Sequence, residues 1–84
     1  MYNPKFTMGE NIRLFNAKVD ADISTLRDRY ASDPEKYAVF YNKMVDFNTA
    51  LQVVALSENP EIFNDKTKEI EKYLKNELKR SRLK

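Results

Sequence analysis

Two cap-plus-proline pairs, Asp33-Pro34 and Asn59-Pro60, divide this chain of 84 residues into three stretches. Proline has its φ preset for the first helical position, and the N–H it lacks would find no partner there. The preceding Asp or Asn accepts hydrogen bonds from the next free amides. One helix therefore stops near Ala31 and another starts at Pro34. With two or three residues between them, the two helices must turn back on each other as a hairpin.

The first stretch opens with Thr7 and, three residues on, Glu10, the spacing of a capping box. Phe6 stands where a hydrophobic staple begins, but its partner position holds Asn11, so the staple is incomplete. Ile12, Phe15, Val19, Ile23, Leu26 and Tyr30 follow at steps of 3, 4, 4, 3 and 4. That spacing places six large side chains on one helical stripe and predicts a helix over 8–30. Arg13, Asp20 and Arg27 are assigned to the opposite face.

The second stretch, 34–57, carries one stripe of Tyr37, Phe40, Met44, Phe47, Leu51 and Val54. A second apolar set, Val39, Val45, Val53 and Leu56, points well away from it. Between residues 38 and 56 the only charges are Lys43 and Asp46. A helix with one buried face needs a single apolar stripe. This helix is either covered on several sides by the other two, or covered in part by another chain. A short strand at Val53–Leu56 is the local alternative, because four residues do not define a period.

The third stretch runs from Pro60, or from Asp65 if 61–64 forms a separate turn, to about Arg80. Its apolar set is thin: Ile62, Phe63, Ile70, Tyr73, Leu74 and Leu78. Glu71 and Lys75 are spaced for an in-helix ion pair. The basic tail 81–84 is expected to fray.

The expected fold is all-α, a single domain over 1–84. It is a three-helix bundle, or an extended helical hairpin plus a third helix. Helices of this length make a rod, and the third offers fewer apolar contacts than the second requires. Self-association follows as an expectation, as a two-fold dimer through helix-to-helix contacts. A compact monomeric bundle is the alternative.

Composition removes most chemistry. The chain has no Cys and no His, so thiol nucleophiles, thiolate or imidazole metal ligands and the commonest general base are absent. A single Gly leaves no glycine-rich phosphate loop. Asp20 and Asp22 are close in sequence but point in different directions on a helix. Asp46 is a candidate acid or base if buried, and a solvent-facing residue beside Lys43 otherwise. No carboxylate cluster has the spacing of a Ca²⁺ loop. The expectation is a non-catalytic protein without cofactor or metal.

The start, MYNPKF, leads into polar residues rather than the apolar run of about 7–15 that a secretory signal needs. The longest apolar run is Val53-Val54-Ala55-Leu56, far below the roughly 20 residues of a membrane span. A cytoplasmic location without membrane partners is expected.

Three function classes stay open. The first is a protein-interaction module, an adaptor or inhibitor, with Tyr37, Tyr41 and Tyr73 as partner-facing residues. Tyr combines an apolar ring with a polar tip and suits half-exposed interfaces. Tyr37 and Tyr41 are four apart and sit together near the first interhelical turn, and the aromatic segment 1–6 either folds back on the bundle or reaches into a neighbour. Phe15, Phe40 and Phe47 are core. The second class is nucleic-acid binding through Lys72, Lys75, Lys79, Arg80, Arg82 and Lys84, with Tyr73 available for stacking. Residues 59–84 hold eight Lys/Arg against five Asp/Glu, although Glu69, Glu71 and Glu77 interrupt the run. A solvated helix end complementing the helix dipole, or a site for an acidic protein, accounts for the same cations. The third class is an oligomer holding a small anionic ligand between subunits with Tyr and Arg or Lys.

Rich in Asn, Lys, Tyr and Phe and lacking Cys, His and Trp, the chain resembles the short single-module accessory proteins of bacteriophages. The resemblance is one of general character. It carries no motif and implies no residue roles; what it implies for function is an inhibitor of a host protein.

Overall fold

The computed structural model describes residues 1–82. Three helices follow in order: α1 (Met8–Tyr30), α2 (Pro34–Ser57) and α3 (Pro60–Arg82). Each packs against the other two, so the molecule is a three-helix bundle rather than a hairpin with an appended helix. It is a rod of 41 × 18 × 17 Å, as the helix lengths require.

The helix starts are set by local chemistry. Thr7 Oγ1 accepts from the Glu10 amide at 3.1 Å, and the Glu10 carboxylate accepts from the Thr7 amide at 3.2 Å, closing the capping box. Asp33 accepts from the Lys36 amide at 3.2 Å, and Asn59 Oδ1 from the Glu61 amide at 2.9 Å. With Asn59 capping it, α3 runs unbroken from Pro60, and 61–64 forms no separate turn. Val53–Leu56 is continuous helix, not strand.

At its far end α3 goes past the expected stop at Arg80. Ser81 and Arg82 are helical rather than frayed. The Arg29 guanidinium of α1 holds this last turn, donating to the Leu78 carbonyl at 3.0 Å and to Ser81 Oγ at 2.8 Å. Lys84, at the end of the expected basic tail, lies outside the described residues.

The core is one stripe from each helix. Phe15, Val19, Leu26 and Tyr30 meet Phe40, Phe47, Leu51 and Val54, and both meet Phe63, Ile70 and Leu74. Each fully buried side chain of this size stabilises the fold by about 1.5–3 kcal/mol. Thr67 fills the step of α3 between Phe63 and Ile70. Its hydroxyl donates to the Phe63 carbonyl at 2.9 Å, so a polar group is buried with its bond made. Glu71 reaches across to Lys18 of α1 at 3.4 Å, in place of an in-helix pair with Lys75.

Segment 1–6 folds back onto the bundle. The Tyr2 amide donates to Asn64 Oδ1 at 2.8 Å, and the Tyr2 ring stands edge-on to Phe63 with centroids 5.7 Å apart. Asn11, which spoils the staple, replaces it with a polar latch. Its Oδ1 accepts from the Asn3 amide at 2.7 Å, and its Nδ2 donates to the carbonyls of Asn3 and Thr7 at 3.0 and 2.9 Å.

Candidate functional site

A groove of about 340 Å³ runs between α1 and α2. Val19, Phe40 and Leu51 form its buried floor, and Ile23, Tyr37 and Met44 its half-buried walls. Tyr37 and Tyr41, one turn apart on α2, stack at the mouth with centroids 6.5 Å apart and planes 13° from parallel. The sequence reading placed these two together, and the structure does so.

Asp20 and Arg27 of α1 stand on the opposite rim. The sequence reading put them opposite the apolar stripe. They instead line the groove from one flank of that stripe, a turn before and a turn after Ile23. At about 100° per residue both lie roughly 80–95° round α1 from the centre of the stripe, so helical spacing already puts them on its flank. Only the position of α2 decides that this flank borders an open groove.

Tyr73 is on a different side of the molecule. It packs edge-on against Phe47, centroids 5.4 Å apart, in the seam between α2 and α3. The Lys43 ammonium stands 5.2 Å from the Phe47 ring centre and 5.5 Å from that of Tyr73. Burial, and then the Glu77 carboxylate, push the Tyr73 phenol above its ordinary pKa, while Arg80 opposes the shift. Tyr73 is a packing residue of that seam and does not join Tyr37 and Tyr41.

The second apolar set of α2 is not enclosed. Val39 is 69% exposed, Val53 59%, Val45 46% and Leu56 87%, with Tyr41 beside them at 57%. Asp46 lies exposed on the same helix. The other two helices cover the Phe40–Val54 line and leave this face to solvent.

On α3 the cations separate. Lys72, Lys75, Lys79 and Arg82 share one exposed ridge, and Lys68, which the sequence reading passed over, extends it by another turn. The five recur at steps of 4, 3, 4 and 3, the helical repeat. Among the described residues none of them has a carboxylate within ion-pair distance. Arg80 is off the ridge, paired with Glu77 at 2.8 Å. Lys84 is beyond the described residues.

No helix among the described residues is long and apolar enough to cross a membrane. Comparison with protein-family models, with curated proteins and with solved structures found no match to the chain.

Proposed function

We propose that the chain is a non-catalytic protein-interaction module, an adaptor or inhibitor, whose α1–α2 groove receives an apolar helical segment of a protein partner. The observation that carries this reading is the stacked Tyr37–Tyr41 pair at the mouth of an open apolar groove. Paired tyrosines lose little rotamer freedom on binding and offer both ring area and hydroxyls, which makes them good anchors. Asp20 and Arg27 lie two helical turns apart, about 10 Å along α1. The fitting partner therefore sets aliphatic or aromatic residues on the groove floor, with a cation facing Asp20 and an acid facing Arg27, also two turns apart.

The test is capture of a partner from the native cell, repeated with the double charge reversal Asp20→Lys/Arg27→Glu. Both side chains are exposed, so the fold survives the exchange. Binding weakened at least about tenfold supports the groove; binding unchanged by the reversal, with Tyr41→Ala equally silent, removes it.

A second reading rests on the α3 ridge. Five cations in one row over about 21 Å, with no acid among them, support contact with a nucleic-acid backbone.

A further inference from the structure

The side of α2 that faces away from the bundle has an order of its own. Ala38, Asn42, Val45, Thr49, Gln52 and Leu56 recur at steps of 4, 3, 4, 3 and 4, and all six are exposed. None is charged, in a chain of which 33% is. An average step of 3.5 is the seam of a two-helix coiled coil, and it lies on the side of α2 away from Phe40, Phe47 and Val54. We propose that this seam is a dimer interface that pairs with the same seam of a second copy, antiparallel, about a two-fold axis passing between Val45 and Thr49.

The register follows from size and polarity. With the axis there, Leu56 of one copy meets Ala38 of the other, large against small. Gln52 meets Asn42, amide against amide. Val45 meets Thr49, two β-branched side chains of nearly equal shape. The flanks obey the same symmetry: Val53 faces Val39, and Ala55 faces Tyr41. So the exposed valines, Leu56 and Tyr41 that the bundle leaves uncovered all gain partners in one arrangement.

A parallel pairing fits less well. It stacks Leu56 on Leu56 and leaves a gap where Ala38 meets Ala38. It also sets the two basic ends of α3 side by side, because Arg80 and Ser81 line the same cavity as Glu35 and Lys36 at the start of α2. The antiparallel arrangement sends those ends to opposite poles of the rod. The five apolar side chains expose on the order of 500 Å² per chain, so two chains reach the ~1,000 Å² floor of a specific interface. One feature opposes pairing: Asp46 lies near the axis and faces its own copy, a like-charge contact that holds the affinity down.

The interface and the groove share Tyr41. Asp20 and Arg27 touch only the groove and Val45 only the seam, so variants at those positions let either fail without the other. Sedimentation of the full chain from micromolar to millimolar concentration reads the association. The expected species at the upper end has twice the 9.9 kDa chain mass. Val45→Asp, which adds two carboxylates to the Asp46 pair at the axis, weakens it at least about 100-fold with helical content unchanged. Asp46→Asn strengthens it, by up to about fivefold. The register is read by oxidation, since the natural chain has no Cys. Asn42→Cys mixed with Gln52→Cys gives the mixed disulfide, while each alone gives little. A monomer throughout, association indifferent to Val45→Asp, or preferential Asn42→Cys self-linking overturns the proposal.

Discussion

Tyr30 Oη donates a 2.7 Å hydrogen bond to Glu77 Oε1, 47 residues further along the chain. The other oxygen of the same carboxylate accepts from Arg80 at 2.8 Å. The last turn of α1 is thereby tied to the last turns of α3, and the Arg29 contacts with Leu78 and Ser81 reinforce the same junction. Burial first, and then this bond and the Glu77 charge, push the Tyr30 phenol up from 10.0 to about 12.

The folded chain therefore prefers the neutral phenol. The associated stability is complete below about pH 10, where the unfolded phenol is also protonated, and is lost as pH rises towards about 12. Tyr30→Phe should cost about 1–2 kcal/mol near neutral pH, since Glu77 keeps Arg80 and no buried donor is stranded. It should also flatten the alkaline loss of stability. Tyr73 is raised too, so the diagnostic quantity is the difference between the two proteins in denaturant titrations across that range. Equal alkaline slopes would show that the bond carries no such weight.

Asn11→Ala removes the latch on segment 1–6. Four hydrogen bonds are lost, and the expected cost is about 1–3 kcal/mol, partly recovered by water at the exposed Asn3. Hydrogen exchange at the Tyr2 and Asn3 amides should speed up while the centre of α1 stays protected. Unchanged protection at both amides would mean that the Tyr2–Phe63 contact holds the segment unaided.

The only glycine sits where none is needed, and the position that favours one holds Glu58. Gly9 is in the first turn of α1 without positive φ, and a Cβ there meets nothing nearer than Thr7 Oγ1 at 4.0 Å. Gly9→Ala should stabilise by about 0.4–1 kcal/mol. Glu58 ends α2 in the left-handed region at φ 51°, ψ 29°. Glu58→Gly should stabilise by about 1 kcal/mol by relieving the Cβ clash of that conformation. Thermal melts read both changes, and a lowered midpoint in either contradicts the corresponding backbone argument.

The α3 ridge makes a salt prediction. If all five cations engage phosphates of a single strand, the logarithm of affinity falls against the logarithm of salt with a slope of about −3.5. Replacing Lys72 and Lys79 by Gln should reduce the steepness by about 1.4, whereas Arg80→Gln, off the ridge, should leave it nearly unchanged. Absence of binding to single-stranded RNA and DNA at low salt would leave the ridge as a solvated face.

Fold class, helix boundaries and much of the core were legible in the residues. Capping side chains act on amides within one turn and apolar spacing acts along one helix, so Thr7, Asp33, Asn59 and the Phe15–Tyr30 stripe could be read locally. The end of α3 was not, because what extends it is Arg29 from another helix. The same holds for the rims of the groove. The spacing of Asp20 and Arg27 sets them on a flank of the α1 stripe, but that this flank borders an open groove depends on where α2 lies. Tyr73 parts from Tyr37 and Tyr41 because α3 packs on the other flank of α2.

The sequence by itself determined three helices, their starts, and an excess of apolar surface on the middle one. Only the tertiary structure decided which part of that surface remains uncovered. Two neighbouring helices can shield about half of a third, and the choice of half depends on packing between residues far apart in the chain. That choice buries Phe40, Phe47, Leu51 and Val54 and leaves Val39, Val45, Val53 and Leu56 to solvent.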